Sequence, residues 1–260
     1  MPELLEVEAY RRLAEASLGR PVVAVLATDS WFLKRGLTAT VAEDALVGTR
    51  LMSARRRGKL LLLDTDAGPV LGLRFGMTGR LLIDGRSANE RLEYDAAADE
   101  ARWDRFGLDF SDRGALRLRD PRRLGGVELD PDEDRLGSDA LSVTVDQLLG
   151  LLAGMRAPLN ARLMDQTRLA GVGNLLNDES LWRAGLDPAR PCDSLEDEEV
   201  ARLHECLRAV LDELGARGGS HTGDLQDERR PDGHCPRDGT PLTRRQVGGR
   251  TTYACPAHQH

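Results

Sequence analysis

Met1-Pro2-Glu3 opens the chain with residue types that could act on a sugar carbon. Initiator methionine is normally trimmed before a small second residue, so the mature chain is expected to begin at Pro2, as a free secondary amine. Such an amine attacks an aldehydic carbon and gives an iminium directly, which is covalent catalysis by an amine. An α-amino group titrates near ~7.7–8.0, far below lysine, and a helix beginning here would lower it further. Glu3 sets a carboxyl next door for proton transfer. Only two lysines, Lys34 and Lys59, stand among the 36 basic residues, so the terminus has few rivals as an amine nucleophile. The competing reading is that Pro2 and Glu3 simply start a helix.

The other end carries metal-ligating types. Cys235-Pro-Arg-Asp238 is followed after sixteen residues by Cys255-Pro-Ala-His258. Two knuckles at this spacing match a zinc ribbon, with Cys235, Asp238, Cys255 and His258 as ligands. Asp is unusual in a structural zinc site, so His234 or His260 could replace Asp238, and a metal-free hairpin is the alternative. Between the knuckles, Val247-Gly-Gly-Arg250 suits a tight hairpin turn that displays a guanidinium for phosphate. Gly171-Val-Gly173-Asn174 presents N–H groups at a helix start, an anion site of the kind that binds DNA phosphate. Gly76-Met77-Thr-Gly79 puts an unbranched apolar side chain on a loop tip, where it could wedge into a base stack or tuck into the core.

These groups need elements to position them. Residues 3–18 read as a helix with Leu4, Val7, Ala14 and Leu18 on one face, stopped by Gly19 and Pro21. From Val22 to Leu129 the pattern is β, with runs at Val22–Ala27, Lys59–Asp64, Val70–Phe75, Gly79–Ile83, Gly107–Phe110, Ala115–Leu118 and Val127–Leu129. That spacing predicts a sandwich or barrel-like domain. The acidic stretch Asp130–Asp139 reads as a linker. Helices follow at Val145–Ala153, Pro158–Gln166 and Asn174–Ala184, then a long one capped by Ser194 and running to Leu214. Gly215–Gly233 reads as a loop. The expected class is α+β: an N-terminal helix and β-sandwich over 1–130, a helical domain over 131–218, and a zinc-ribbon-like finger over 219–260.

The 260 residues are 40% hydrophobic and 30% charged, as suits a folded, soluble chain. No aliphatic run approaches a membrane span. Four cysteines do not make a disulfide scaffold, so a reducing cytoplasm is expected, and Cys192 and Cys206 read as structural thiols. The net charge of −7 argues weakly against a nucleic-acid partner, but it is a mean, and binding depends on where the charges sit. Base is concentrated at Arg55-Arg-Arg57 with Lys59, at Arg117/Arg119/Arg122/Arg123 and at Arg244/Arg245/Arg250.

Taken together the motifs resemble the formamidopyrimidine-DNA glycosylase/endonuclease VIII family. The resemblance rests on Met1-Pro-Glu-Leu-Leu-Glu-Val-Glu8, Arg57-Gly-Lys59, Gly76-Met-Thr-Gly79, Asp120-Pro-Arg-Arg123, Gln166 to Asn174 with Glu179 to Gly185, and Gly249 to Gln259, in the family order. It implies a bifunctional glycosylase and abasic-site lyase that flips a damaged nucleotide into a pocket between two domains. By resemblance Pro2 forms a Schiff base at C1′, Glu3 protonates the ring oxygen, Lys59 assists at sugar or phosphate, and Arg250 holds a phosphate. Gly173 and Asn174 would grip the backbone, and Met77, Arg122 and Leu124 would fill the gap left by the flipped base. Partners would be damaged double-stranded DNA and no membrane, with the protein a monomer in the bacterial cytoplasm. The chain departs from the pattern at Leu5, where proline is usual, at Leu124, where an aromatic wedge is usual, and at Asp238 and His258, where cysteines are usual. Gly219–Gly233 is short for the loop that covers oxidised purines in some members. These departures motivate a second reading, a catalytically weak binder of damaged or abasic DNA.

Overall fold

The computed structural model describes residues 2–88 and 100–260; the expected removal of Met1 concerns a residue outside them. The chain forms two compact units, one of Pro2 and Glu6–Glu133, the other of Glu3–Leu5 and Asp134–His260.

Helix α1 (Leu4–Ala14), which belongs to the first unit from Glu6 onward, passes into a 3-10 turn, Glu15–Ser17. Strand β1 (Val22–Leu26) and helix α2 (Ala39–Leu46) follow, then β2 (Leu51–Arg57), β3 (Leu60–Thr65), β4 (Leu71–Arg74), β5 (Arg80–Ile83), β6 (Arg86–Ser87), β7 (Asp104–Phe110), β8 (Ala115–Arg119) and β9 (Gly126–Leu129). They make two sheets, of order β1-β7-β8-β5-β6 and β2-β3-β4-β9, paired antiparallel throughout. Alternate residues face one shared core, as the pleat requires. Phe106, Leu108, Leu116 and Leu118 come from one sheet, Leu61, Leu63, Leu71 and Leu73 from the other, and Val7, Tyr10 and Ala14 from α1. Each such leucine, valine or phenylalanine contributes roughly 1.5–3 kcal/mol by burial. This is the expected sandwich.

One helix departs from the β reading of this region, and strand β2 lies outside the runs named for it. Helix α2 starts where Thr38 Oγ1 accepts the Val41 N–H at 3.2 Å, and it buries Ala42 and Leu46 one turn apart. Strand β2 contains the arginine triplet, whose side chains flank the sheet while its backbone pairs with β3.

The second unit holds a short parallel pair, β10 (Ser138–Asp139) with β11 (Leu169–Ala170). Its helices are α3 (Val145–Leu152), α4 (Leu159–Leu163), α5 (Asn174–Ala184) and α6 (Asp197–Arg217), and the hairpin β12 (Thr243–Val247) with β13 (Arg250–Ala254) ends the chain. Along α6, Val200, Leu203, Leu207, Val210 and Leu214 are buried, as their spacing predicts. Its cap differs from expectation. Glu196 and Glu199 form a reciprocal capping box, while Ser194 closes the preceding 3-10 turn by donating to the Pro191 carbonyl. Helix α4 is shorter than Pro158–Gln166, because Asp165 to Leu169 form a turn held by two bonds to the Asp165 carbonyl. The span 215–233 comprises the end of α6 and the 3-10 turns Ser220–Thr222 and Gln226–Glu228. Glu179 pins it by accepting the Asp224 and Leu225 N–H groups. Burial pushes the Cys192 thiol up to about 11 and raises Cys206, as for inert structural thiols.

Candidate functional site

Pro2 and Glu3 are both buried. The Glu3 carboxylate sits on the N-terminus of α5: Gly173 N–H donates to Oε2 at 2.9 Å, Leu175 N–H to Oε1 at 2.9 Å and Leu176 N–H to Oε2 at 3.2 Å. The Leu4 N–H donates to the Gly171 carbonyl at 3.1 Å, fixing the backbone beside it. Hydrogen bonds to a charged group are worth roughly 1.5–3 kcal/mol each, and the helix dipole adds to them. The turn read from sequence as an anion site is therefore one, and the anion it holds is Glu3. The Pro2 nitrogen and this clamped carboxylate lie on adjacent residues, the arrangement that nucleophile and proton carrier need.

Three asparagines tie α4 and α5 to the terminal hairpin. Asn174 donates from Nδ2 to the Thr251 carbonyl at 3.1 Å. Asn160 donates to the Val247 carbonyl at 3.1 Å and to Thr252 Oγ1 at 2.9 Å, and its own Oδ1 accepts from Asn177. Asn160, Asn177 and Thr252 are fully buried. The hairpin turn is Gly248-Gly249, both at positive φ (57° and 77°), as a two-residue turn requires. Arg250 follows, exposed, and its guanidinium meets no hydrogen-bond or ion-pair partner among the described residues. One turn along α5 from Asn174, buried Asp178 pairs with Arg229 at 3.0 Å. Burial pushes its carboxyl up to about 7, against the pull of Arg229.

Cys235, Asp238, Cys255 and His258 converge, their ligand atoms all within 4.8 Å of one another. His258 Nδ1 lies 3.0 Å from Asp238 Oδ2, and Cys255 Sγ lies 3.4 Å from that same oxygen. The imidazole's other nitrogen, Nε2, lies 3.3 Å from the Trp182 carbonyl, and the Trp182 indole N–H donates to Cys235 Sγ at 3.2 Å. An outer hydrogen bond of this kind leaves Nδ1 as the ligand. Hydrogen bonds from Thr240 hold the Asp238 carboxyl well below the usual range, so it is an anionic donor. Two sulfurs, one imidazole and one carboxylate in this cluster fit a tetrahedral metal ion. His234 instead bridges to Pro241, and the His260 backbone pairs with Asp187 and Gly185.

In the first unit two loops abut. Asp120, fully buried, accepts Thr78 Oγ1 at 2.6 Å and Arg122 N–H at 3.1 Å on one oxygen, and Gly125 N–H at 2.8 Å on the other. A Cβ on Gly76 would lie 2.4 Å from the Leu124 carbonyl carbon. Tyr10 of α1 reaches the same loop, donating to the Gly79 carbonyl at 3.2 Å and packing on Phe75. Met77, half-buried, and Arg122 and Leu124, both exposed, are thereby brought to neighbouring loops. Lys59 lies half-buried in the two-residue turn joining β2 and β3.

The basic clusters sort themselves by partner. Arg55 bonds Asp64 and Glu133, Arg56 bonds Glu8, Arg117 pairs with Asp109, Arg119 bonds Asp104, Arg123 bonds Asp29, and Arg245 pairs with Asp187. Arg122, Arg244 and Arg250 make no side-chain bond to any described residue. Sequence reasoning missed Asp120 as the tie between loops, since Thr78 lies 42 residues from it, and the Asn160–Asn177 pair, since the partners of Asn160 lie 17 to 92 residues away.

Known proteins resemble this chain in sequence and fold. A family model described as the formamidopyrimidine-DNA glycosylase N-terminal domain matches residues 1–127, and one described as the formamidopyrimidine-DNA glycosylase H2TH domain matches residues 136–224. A formamidopyrimidine-DNA glycosylase of Heliobacterium modesticaldum is 35% identical over 100% of both chains. One of Thermus thermophilus is 36% identical over 100% of this chain and 98% of its own. Among solved structures, a complex of the LlFpg protein with a THF-DNA and an inhibitor is similar at TM-score 0.84 and 25% identity. A complex of Lactococcus lactis Fpg with an abasic-site-containing DNA shares the fold at TM-score 0.83 and 24% identity. Both matches cover 100% of each chain.

Proposed function

The chain belongs to the formamidopyrimidine-DNA glycosylase family, and from that membership we propose that it is a base-excision DNA glycosylase that also cleaves the abasic strand. The observation that carries this reading is the Glu3 carboxylate clamped by Gly173, Leu175 and Leu176 beside Pro2.

A damaged nucleotide leaves the base stack. The Pro2 amine attacks C1′, the C1′–N bond breaks, and the base departs with the electron pair. The proton lost from the Pro2 nitrogen passes to Glu3, which returns it to the sugar ring oxygen as the ring opens. The resulting iminium acidifies the neighbouring C2′–H. Loss of that proton expels the 3′ phosphate, and a second elimination expels the 5′ phosphate. Lys59 assists at the sugar or its phosphate. Arg250 and Asn174 hold backbone phosphate, while Gly173 positions Glu3. Met77, Arg122 and Leu124 occupy the space of the flipped base, offsetting part of an unstacking term of a few kcal/mol.

Cys235, Asp238, Cys255 and His258 hold a structural zinc ion, which fastens the base of the β12–β13 hairpin. Gently purified protein should contain close to one equivalent of zinc, and less than about half an equivalent would reject the assignment. The protein works as a monomer in the bacterial cytoplasm on duplex DNA. No helix among the described residues is long and apolar enough to cross a membrane.

The relatives' names point to formamidopyrimidine lesions, while the short span 219–233 favours oxidised pyrimidines or an unusual lesion. A panel of duplexes carrying each lesion, or an abasic site, tests the reading. Base release with strand cleavage is expected on at least one. Tight binding without release or cleavage on any would establish the second reading, a damaged-DNA binder, which the departures at Leu124 and Asp238 favour.

A further inference from the structure

Among the described residues Trp31 is the most exposed of the large hydrophobic side chains, at 68%, although its neighbour Phe32 is fully buried. An isolated exposed apolar residue needs no explanation, but Trp31 is neither isolated nor loosely held. Its N–H donates to Asp29 Oδ1 at 3.1 Å, and the Phe32 N–H to the Asp29 carbonyl at 3.0 Å. Val127 N–H donates to the Phe32 carbonyl and Lys34 N–H to the Val127 carbonyl, a parallel bridge centred on Leu33 and Val127. In that register Trp31 stands level with Gly125, one residue from Leu124, which is itself 51% exposed. Arg123 bonds the same Asp29 carboxylate from the other side. Burial opposes charge on Asp29, yet its bonds to Arg123 hold the carboxyl below the usual range, so the tie is ionic.

One cation lies against the indole. Lys34 Nζ lies 5.3 Å from its ring centroid and donates to its carbonyl at 2.7 Å. Arg122, two residues before Leu124, has no side-chain partner among the described residues. A flat aromatic face beside positive charge on a braced loop is the combination that stacks on nucleotides while neighbouring cations meet phosphate. Fixing the loop in advance removes much of the ordering entropy that such a contact would otherwise oppose.

We propose that Trp31 is a DNA-contacting residue that stacks on a nucleotide of the duplex next to the one engaged by Leu124, with Lys34 beside it serving the phosphate. This rests on the reading of the protein as an enzyme of damaged DNA. The test uses the full untagged chain and a duplex bearing a tetrahydrofuran abasic analogue. Trp31→Ala should weaken binding about tenfold, since base–aromatic stacking is worth roughly 1–3 kcal/mol, with the salt dependence unchanged. Trp31→Phe should bind within about threefold of wild type, because stacking survives. The other tryptophans, Trp103 and Trp182, are less exposed, so the DNA-induced quenching of tryptophan fluorescence should be largely lost in Trp31→Phe. Wild-type affinity in Trp31→Ala, or full quenching in Trp31→Phe, would overturn the proposal and leave the glycosylase reading intact. Self-association that Trp31→Ala abolishes, with DNA binding untouched, would assign the surface to a second copy instead and also overturn it. Failure of the wild type to bind the duplex would reject the glycosylase reading, and this proposal with it.

Discussion

The guanidinium of Arg250 stands at the tip of a hairpin, with no partner among the described residues, while most arginines of the sequence clusters are neutralised by carboxylates. Free charge on a braced tip is what a phosphate contact needs. Arg250→Ala should weaken duplex binding across sequences and reduce the slope of log affinity against log salt by about one. Titrations at several salt concentrations measure it, and an unchanged slope would remove Arg250 from the phosphate contacts. At this scale the sequence was informative where the groups are local: each knuckle spans four residues, so type and spacing bring Cys235, Asp238, Cys255 and His258 together. Asp120, Asn160 and Asn177 were illegible because what distinguishes them is burial against partners distant in the chain.

Between residues and molecule stand the loops and helices that aim them. The loops of Met77 and Leu124 meet at Gly76, where φ is 57° and no Cβ fits against the Leu124 and Gly125 backbone. Gly85, with φ at 77° and nothing within 4 Å, provides the control. Gly85→Ala should destabilise by about 1 kcal/mol from backbone strain alone, whereas Gly76→Ala should exceed that by about 1–3 kcal/mol and weaken DNA binding. Urea midpoints of the two variants measure the difference, and equal losses would show that the loops can part freely. The β runs were readable because alternate leucines face a core. Helix α2 was not, since eight residues with two buried positions give little periodicity and its Thr38 cap was the only clear signal. The start of α6 was misplaced because Ser194 is the commoner cap type, while the acidic Glu196–Glu199 box caps the helix.

At the scale of the whole molecule, the chain divides into two units, and their main boundary falls between Glu133 and Asp134, within the acidic stretch read as a linker. The order of weak motifs along the chain made the family legible where no single motif did. The alternation of strands and the change to helical period beyond residue 139 gave the α+β class. What sequence could not show is that Glu3–Leu5 pack with the second unit, because that depends on Glu3 closing the N-terminus of α5 across about 170 residues of chain. We propose Pro2, with Met1 removed, as the nucleophile, and borohydride trapping on abasic duplex followed by peptide mapping tests it. A covalent adduct is expected on the N-terminal peptide beginning at Pro2, lost when Met1 is retained or when Pro2→Gly and Glu3→Gln are combined. An adduct mapped to Lys34 or Lys59, or one undiminished in the double variant, would contradict it.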